Sequence, residues 1–403
     1  MTTSSESRAG SAGEVFSAFL KLGLTSFGGP IAHLGYFRDE LVTRRRWLDE
    51  KGYADLVALC QFLPGPASSQ VGFALGLWRA GPLGALAAWS AFTLPSAILL
   101  VIFALGASAL DGTIAQGVLH GLKLVAVAVV AQAVWGMARA LTPDRPRAGI
   151  AVLALSIVVL STGALGQVGA IALGALLGLW LCRSDGAAAP ATAMRFPISR
   201  RVGLAALVAF GLLLAGLPLL TVTGGFDGLA VFDGFFRSGA LVFGGGHVVL
   251  PLLEAETVAT GWVSRDAFLA GYGAAQAVPG PLFAFAAYLG AAQSGVPGAI
   301  VALIGIFLPG FLLLVGVLPF WDDLRARPWA QAGMQGANAA VVGILGAALY
   351  DPVWTSAVIA PVDLVLAVAG FVLLVGWKAP PWVVVVLLAA AGGALAGAGL
   401  LTA

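Results

Sequence analysis

Two Gly/Pro motifs each occur twice in this chain, inside stretches apolar enough to enter a membrane. One reads SFGGP from Ser26 and VFGGG from Val242, and the other reads PGP from Pro64 and from Pro279. Within a helix, Gly costs about 1 kcal/mol and Pro about 3 kcal/mol relative to Ala. In lipid, such breaks persist where the freed backbone groups are buried in protein or line a wet cavity. The pattern therefore predicts four helix breaks at a binding site: residues 27–30, 64–66, 243–246 and 279–281.

The chemistry expected at the ends of broken helices favours an anion. Proline suits the first helical position, so Pro30, Pro66 and Pro281 should each begin a half-helix whose first N–H groups lack a partner. Partial positive charge gathers at that end of a helix, and glycine leaves the backbone open to a ligand. The candidate anion-binding residues at the breaks are Gly28, Gly29, Pro30, Pro64, Gly65, Pro66, Gly244, Gly245, Pro279, Gly280 and Pro281.

Polar side chains flank the PGP motifs unequally. Ser68 and Ser69 follow the first PGP, where their hydroxyls could donate to an oxyanion, whereas the second repeat has Phe283 and Ala284 at these places. A glutamine precedes each PGP by three residues. Gln61 and Gln276 could cap freed carbonyls or contact the substrate.

Three cations lie within apolar segments: Lys21, Lys123 and Arg237. A charge inside a membrane protein is by default a functional hypothesis, although a long side chain can also extend to the headgroups. Lys21 and Arg237 occupy equivalent places, about two helical turns before a break, while Lys123 is matched by Asn338. Since no carboxylate is evident at comparable depth, we expect a net cationic membrane interior.

Composition identifies an integral membrane protein. Of the 403 residues, 60% are hydrophobic and only 10% are charged, and the mean hydropathy is +0.97; no water-soluble core could bury so much apolar surface. The sequence has two cysteines and no His pair, Cys cluster or nucleotide-binding loop, so we expect no cofactor, metal site or enzyme activity. The net charge of +2 gives no reason to expect a nucleic-acid partner.

The chain matches itself at an offset of 216 residues, which becomes 215 beyond the first motif, so that Pro82 meets Pro297. Each repeat contains six apolar segments, and a further segment at 202–222 brings the total to thirteen. The predicted organisation is a disordered tail at 1–13, a first repeat at 14–183, a linker with one transmembrane segment at 184–229, and a second repeat at 230–403. We expect an all-α polytopic membrane protein.

An odd number of crossings between the repeats would invert the second, a plan used by many secondary transporters. Cytoplasmic loops collect Lys and Arg. If the first two segments of each repeat are re-entrant hairpins bent at the motifs, 17 of the 18 Lys and Arg outside apolar segments lie inside; if all thirteen span, 13 do. The hairpin arrangement is preferred. Both arrangements place the N-terminus in the cytoplasm and the C-terminus outside.

Four stretches resemble the chromate ion transporter family: FLKLGLTSFGGPIAHLGYFRDELV from Phe19, LCQFLPGPASSQVGFALG from Leu59, FGGGHVVLPLLE from Phe243 and VPGPLFAFAAYLG from Val278. The resemblance covers both repeats and implies the long, two-domain form of that family. It further implies a bacterial inner-membrane protein that exports chromate and handles sulfate as a related anion. Gly246 stands where the first repeat has Pro30, so equal roles for the two repeats are in doubt.

The sequence therefore predicts a secondary transporter for a tetrahedral oxyanion, with chromate export by alternating access as the leading hypothesis. Sulfate uptake or exchange by the same machinery is the main alternative. An anion channel would need a continuous polar pore, which the scarcity of polar residues in the apolar segments disfavours. The sequence leaves the coupling ion and the oligomeric state open, and a homodimer is compatible with it.

Overall fold

The computed structural model describes residues 10–107, 112–161, 164–182, 196–222, 227–243, 246–325 and 327–399. Every regular element in these ranges is helical, which confirms the all-α class. Residues 1–9 of the predicted tail lie outside the described residues, as do Gly244 and Gly245.

The first repeat and the linker contain eight described α-helices: α1 (Ala12–Thr25), α2 (Gly29–Phe37), α3 (Glu50–Phe62), α4 (Ala67–Ala107), α5 (Thr113–Leu141), α6 (Arg145–Leu160), α7 (Ala164–Leu181) and α8 (Arg200–Val222). The second repeat contains nine: α9 (Asp227–Ala240), α10 (Val249–Thr257), α11 (Arg265–Ala275), α12 (Phe285–Val317), α13 (Trp321–Arg325), α14 (Pro328–Ala348), α15 (Thr355–Ala357), α16 (Pro361–Val375) and α17 (Pro381–Gly397). Short π-helical or 3₁₀ turns connect several of them.

The long helices have the length and the surface of membrane spans. Five helical regions of the described chain are long and apolar enough to cross a bilayer. Large apolar side chains point outward from them, for example Leu212 and Leu219 of α8. A water-soluble protein rarely exposes large contiguous apolar patches, so this surface fits contact with lipid. The chain is a multi-pass membrane protein.

The described helix breaks lie where the sequence predicts them. α1 ends before Ser26 and α2 begins with Pro30 in its first turn, while α4 begins directly after Pro66. Pro281 precedes a 3₁₀ turn, Leu282–Ala284, that leads into α12. The helix before the first break has 14 residues, and the helix after it has 9 and continues into a π-helical turn, Arg38–Arg44. Neither half alone has the roughly 20 residues of a span, and the choice between re-entrant hairpins and simple spans stays a prediction.

α4 and α12 each bend sharply, and the sequence analysis did not predict this. Ala80 and Gly81 of α4 leave the helical conformation, with φ of 68° at Gly81. Ser294 and Gly295 of α12 do the same, with φ of 65° at Gly295. Glycine adopts this positive φ readily because it has no Cβ. Each of these helices is therefore two arms joined at a corner, and the corner has the same geometry in both repeats.

The two repeats interlock through their later helices. α6 and α7 of the first repeat pack on α14 of the second, while α16 and α17 of the second pack on α5 of the first. The contacts bring backbone against backbone, at Gly336 against Gly174 and at Gly121 against Leu388. Neither repeat is therefore a separate packing unit, and elements of both surround the middle of the molecule.

Candidate functional site: a crossover of four helix breaks

Reciprocal backbone hydrogen bonds join the helix breaks of the two repeats. The Gly65 N–H donates to the Val242 carbonyl over 2.7 Å, and the Gly280 N–H donates to the Ser26 carbonyl over 2.9 Å. Gly65 and Gly280 are equivalent in the repeats, as are Ser26 and Val242. Each PGP motif therefore binds the FGG-type motif of the other repeat. We call this place the crossover and define it by residues 26–30, 64–66, 242–243, 246 and 279–281.

The backbone at the crossover has conformations that only glycine adopts readily. φ is 122° at Gly65 and 106° at Gly280, and it is 96° and 78° at the adjacent Gly28 and Gly29. A Cβ at Gly280 would lie 2.8 Å from the Ser96 Oγ, which is closer than van der Waals contact. The glycines are thus needed both for the turn and for the close approach of the two repeats.

Further contacts place polar side chains around the crossover. A Cβ at Gly29 would lie 3.8 Å from the His247 Nε2 of the second repeat. The His247 Nδ1 is 2.7 Å from the Tyr272 hydroxyl. On the first-repeat side, the buried His33 Nδ1 lies 3.4 Å from the Ser68 Oγ, and the His33 ring packs edge-on against Phe92.

Several buried polar atoms near the crossover have no hydrogen-bond partner among the described residues: Ser26 Oγ, His33 Nε2, Ser69 Oγ, Gln70 Oε1 and Gln276 Nε2. Most buried polar atoms in folded proteins are hydrogen-bonded, and each exception calls for an explanation. Here the exceptions include hydroxyls and ring or amide nitrogens, groups that can donate to an oxyanion. The first turns of α2 and α4 add N–H groups that have no acceptor within their own helix, so the crossover is rich in donors.

Capping of the freed carbonyls is performed by a glutamine that the sequence analysis overlooked. The Gln70 side-chain amide donates to the Pro64 carbonyl over 3.0 Å and to the Gly310 carbonyl over 2.9 Å. Gln61, which precedes the motif, is exposed, and Gln276 is half-buried. Gln70 lies one turn into α4, so it holds the first PGP against α12.

The two equivalent cations are paired with carboxylates, so the expectation of a net cationic interior is wrong. The Lys21 Nζ lies 2.7 Å from the Glu40 Oε2, and an Arg237 amino group lies 3.0 Å from the Glu256 Oε2. Both pairs are separated by 19 residues and correspond in the repeats. Glu40 and Glu256 follow the break in sequence, but the chain folds back after each break and returns the carboxylate to the cation.

Lys123 belongs to a different part of the molecule. Its Nζ lies 3.0 Å from the Asp266 Oδ1 of the second repeat, and it lines a cavity of about 860 Å³. The described parts of the breaks thus meet at the crossover, with Ser68 and Ser69 following one of them. Lys21 and Arg237 form ion pairs in the helices before the breaks, and Lys123 faces the cavity. His33, His247 and Tyr272 were not predicted to lie beside the crossover. The two histidines are not repeat equivalents, and a hydrogen-bonded role, which both have here, was the expectation for them.

The fold and the crossover define a polytopic helical membrane protein in which the broken helices of two repeats meet. Residues 13–179 and 229–394 each match the family model described as Chromate transporter. The chain therefore belongs to the chromate transporter family, as the sequence resemblance predicts.

Two similar proteins cover most of the chain. The chromate transport protein of Pseudomonas aeruginosa is 32% identical over 391 residues, which are 94% of this chain and 90% of that protein. The probable chromate transport protein of Synechococcus elongatus is 31% identical over 82% of each chain. No solved structure matches the chain.

Proposed function

We propose that this protein exports chromate across the bacterial inner membrane by alternating access and binds the oxyanion at the crossover. The observation that carries the proposal is the reciprocal hydrogen bonding of the four breaks, which gathers unpartnered donors from both repeats. Membership of the chromate transporter family and the printed names of the relatives support the choice of chromate.

The donors at the crossover match the needs of a tetrahedral dianion. The chromate dianion offers four oxygens that accept hydrogen bonds and carries no proton to donate. In the proposal, first-turn N–H groups of α2 and α4 bind it beside Gly28 and Gly29, and the Ser68 and Ser69 hydroxyls complete the shell. Helix N-termini suit anions through both their N–H groups and their dipole.

In the same proposal Lys21 and Arg237 supply positive charge in the hairpins beside the site. Their partners Glu40 and Glu256 offset much of that charge and hold the two cations in place. The affinity for chromate then comes mainly from the backbone and hydroxyl donors at the crossover. The positive charges of Lys21 and Arg237 make a smaller contribution.

Alternating access follows if the two repeats are inverted relative to each other. The equivalent contacts at the crossover and the equivalent corners in α4 and α12 suit exchange between two related states. Inverted repeats commonly bind substrate where broken helices meet and alternate by movement of one bundle against the other. We assign the N-terminus to the cytoplasm and the C-terminus to the outer side of the membrane.

The test is chromate flux in membrane vesicles of known orientation. We expect inside-out vesicles that contain the protein to accumulate labelled chromate, and the variant Gly29→Leu to accumulate none. Gly35→Leu is the matched control, because Gly35 lies in the same helix α2 with open space beside it. Uptake no greater than in vesicles without the protein would contradict the proposal. Sulfate uptake that chromate does not inhibit would identify sulfate, and not chromate, as the substrate.

A further inference from the structure

A cavity outside the crossover carries titratable groups that the proposed anion site does not use. It has a volume of about 860 Å³ and is lined by residues of both repeats, including Gln116, His120, Lys123, Asp266, Tyr288 and Ser356. Gln116, His120 and Lys123 are spaced by four and three residues, so they share one face of α5. A cavity of this size can admit water to that face.

His120 is paired with a carboxylate that is completely buried. The His120 Nε2 lies 2.8 Å from the Asp363 Oδ1, and Asp363 has no exposed side-chain surface. The Asp363 Oδ2 accepts hydrogen bonds from the Ile359 and Ala360 amides at the start of α16, over 3.1 and 2.9 Å. When Asp363 is ionised, its carboxylate only accepts, and the His120 Nε2 then carries the proton in this contact. The Nδ1 of a neutral imidazole is then free to take up another.

The charges around His120 favour the binding of a proton rather than of an anion. Lys123 and Asp266 compensate each other, so a neutral His120 leaves the buried Asp363 carboxylate as the excess charge. The Tyr288 hydroxyl faces the cavity and donates to the Ala267 carbonyl. Helices α14 and α17, which also pack on α5, have no titratable side chains. Arg265, which precedes Asp266 in α11, is paired with Asp351 and Glu254.

The pair is not a requirement of the architecture. His120 corresponds to Gln335 in the second repeat, and Asp363 corresponds to Ala148 in the first. α14 nevertheless packs on α6 as α5 packs on α16. The same helix contact therefore forms without an acid–base pair, and the asymmetry calls for a functional explanation.

Helix α11 links the cavity to the crossover. Its first turn supplies Asp266, the partner of Lys123. Farther along, the Gly273 backbone touches the Leu122 carbonyl of α5, and the adjacent Tyr272 is hydrogen-bonded to His247. Contacts through α5 and α11 thus connect the cavity face that carries His120 with the break of the second repeat.

We propose that His120 and Asp363 form the proton-carrying site that couples proton movement to anion transport. A proton taken up from cavity water at the His120 Nδ1 converts imidazole and carboxylate into a neutral imidazolium–carboxylate pair, and its loss restores the charge of −1. Histidine suits this role because it gains and loses a proton near neutral pH. The inference rests on the proposed transport of chromate at the crossover.

The experiment uses the purified full-length protein in liposomes. We expect wild-type protein to exchange labelled for unlabelled chromate across the membrane and, when a pH gradient is imposed, to accumulate chromate against its gradient. His120→Gln should keep the exchange and lose the gradient-driven accumulation, because no charge change is left at this position. Asp363→Asn should do the same while keeping an oxygen for the α16 amides.

Two controls test for non-specific damage. Gln116→Leu changes the same cavity face without a titratable group, and Asp144→Asn changes another carboxylate that caps a helix, at the Arg147 amide of α6; both variants should keep both activities. Accumulation by His120→Gln at the wild-type level would overturn the inference, as would wild-type exchange without any response to pH gradients. Loss of exchange by folded His120→Gln would instead assign His120 to anion binding. Failure of wild-type exchange would overturn the proposed function and this inference with it.

Discussion

The break-containing segments of the two repeats make the same backbone contacts and the same type of ion pair, but they carry different side chains around the breaks. In both, a cation before the break binds a carboxylate 19 residues later, and a PGP glycine donates to the other repeat. The polar side chains come mostly from the first repeat: Ser26, His33, Ser68 and Ser69. At the equivalent places the second repeat has Val242, Val249, Phe283 and Ala284. In the proposed site, backbone donors are therefore common to both repeats, whereas the serine hydroxyls come from the first.

The two ion pairs also differ in their surroundings. Lys21 is 49% exposed, and its partner Glu40 also binds Arg44 and Arg45. Arg237 is less exposed and is shared by two nearly buried carboxylates, Asp233 and Glu256. The second hairpin therefore depends on a single cation, whereas the first has substitutes.

The strongest test of the comparison concerns orientation. In a background without Cys60 and Cys182, cysteines introduced at the exposed positions Thr43 and Thr260 probe the equivalent loops of the two hairpins. With inverted repeats and re-entrant hairpins, a membrane-impermeant thiol reagent applied to whole cells should label Thr260→Cys and not Thr43→Cys. The reverse pattern would support thirteen simple spans. Equal labelling would contradict inversion.

Loss of either PGP glycine should abolish transport, because the backbone of the crossover is common to both repeats. Gly65→Leu and Gly280→Leu each place a side chain at positive φ and within 3.0 Å or less of a neighbouring atom. We expect chromate uptake into inside-out vesicles to fall to background in both variants. Gly211→Leu in α8, which has open space beside it, is the control. Near-normal uptake by only one variant would show that the breaks are not equivalent.

Removing the cation of each ion pair should lower the stability of the protein by different amounts in the two repeats. Arg237→Ala leaves two nearly buried carboxylates without their cation, and breaking a buried pair in this way typically costs about 3–5 kcal/mol. Lys21→Ala leaves Glu40 with Arg45 at 3.0 Å, so we expect a loss of roughly 0–1 kcal/mol. Thermal unfolding in detergent measures the difference as a larger drop in midpoint for Arg237→Ala. Equal drops would show that the surroundings do not matter.

The sequence predicted the breaks because Gly and Pro act locally. It did not predict the ion pairs, since Glu40 and Glu256 lie in apparent loops until the chain folds back. The repeat alignment pairs Pro82 with Pro297 and therefore does not pair Gly81 with Gly295, so the matching corners at these two glycines were not predicted. His120 and Asp363 are 243 residues apart, and the contact depends on how the repeats interlock. Contacts of this range have no signal in a single sequence.

The smallest expected effect tests whether the first repeat alone supplies hydroxyl donors. The Ser69 Oγ is buried without a partner among the described residues, and the Ser68 Oγ has only a 3.4 Å contact with His33. A lost hydrogen bond to a charged group costs about 1.5–3 kcal/mol, or roughly ten- to a hundredfold in affinity. The double change Ser68→Ala and Ser69→Ala should therefore raise the half-saturating chromate concentration by about that factor.

The matched change in the second repeat is Ala284→Ser. Placed in the double alanine variant, it should restore little affinity, because the surrounding side chains there are apolar and Phe283 stays in place. Transport kinetics in vesicles measure both effects. If the double alanine variant keeps its half-saturating concentration, the serines only cap α4, and backbone N–H groups and cations alone hold the anion. If Ala284→Ser restores most of the affinity, the two linings are interchangeable, and the asymmetry between the repeats does not determine binding.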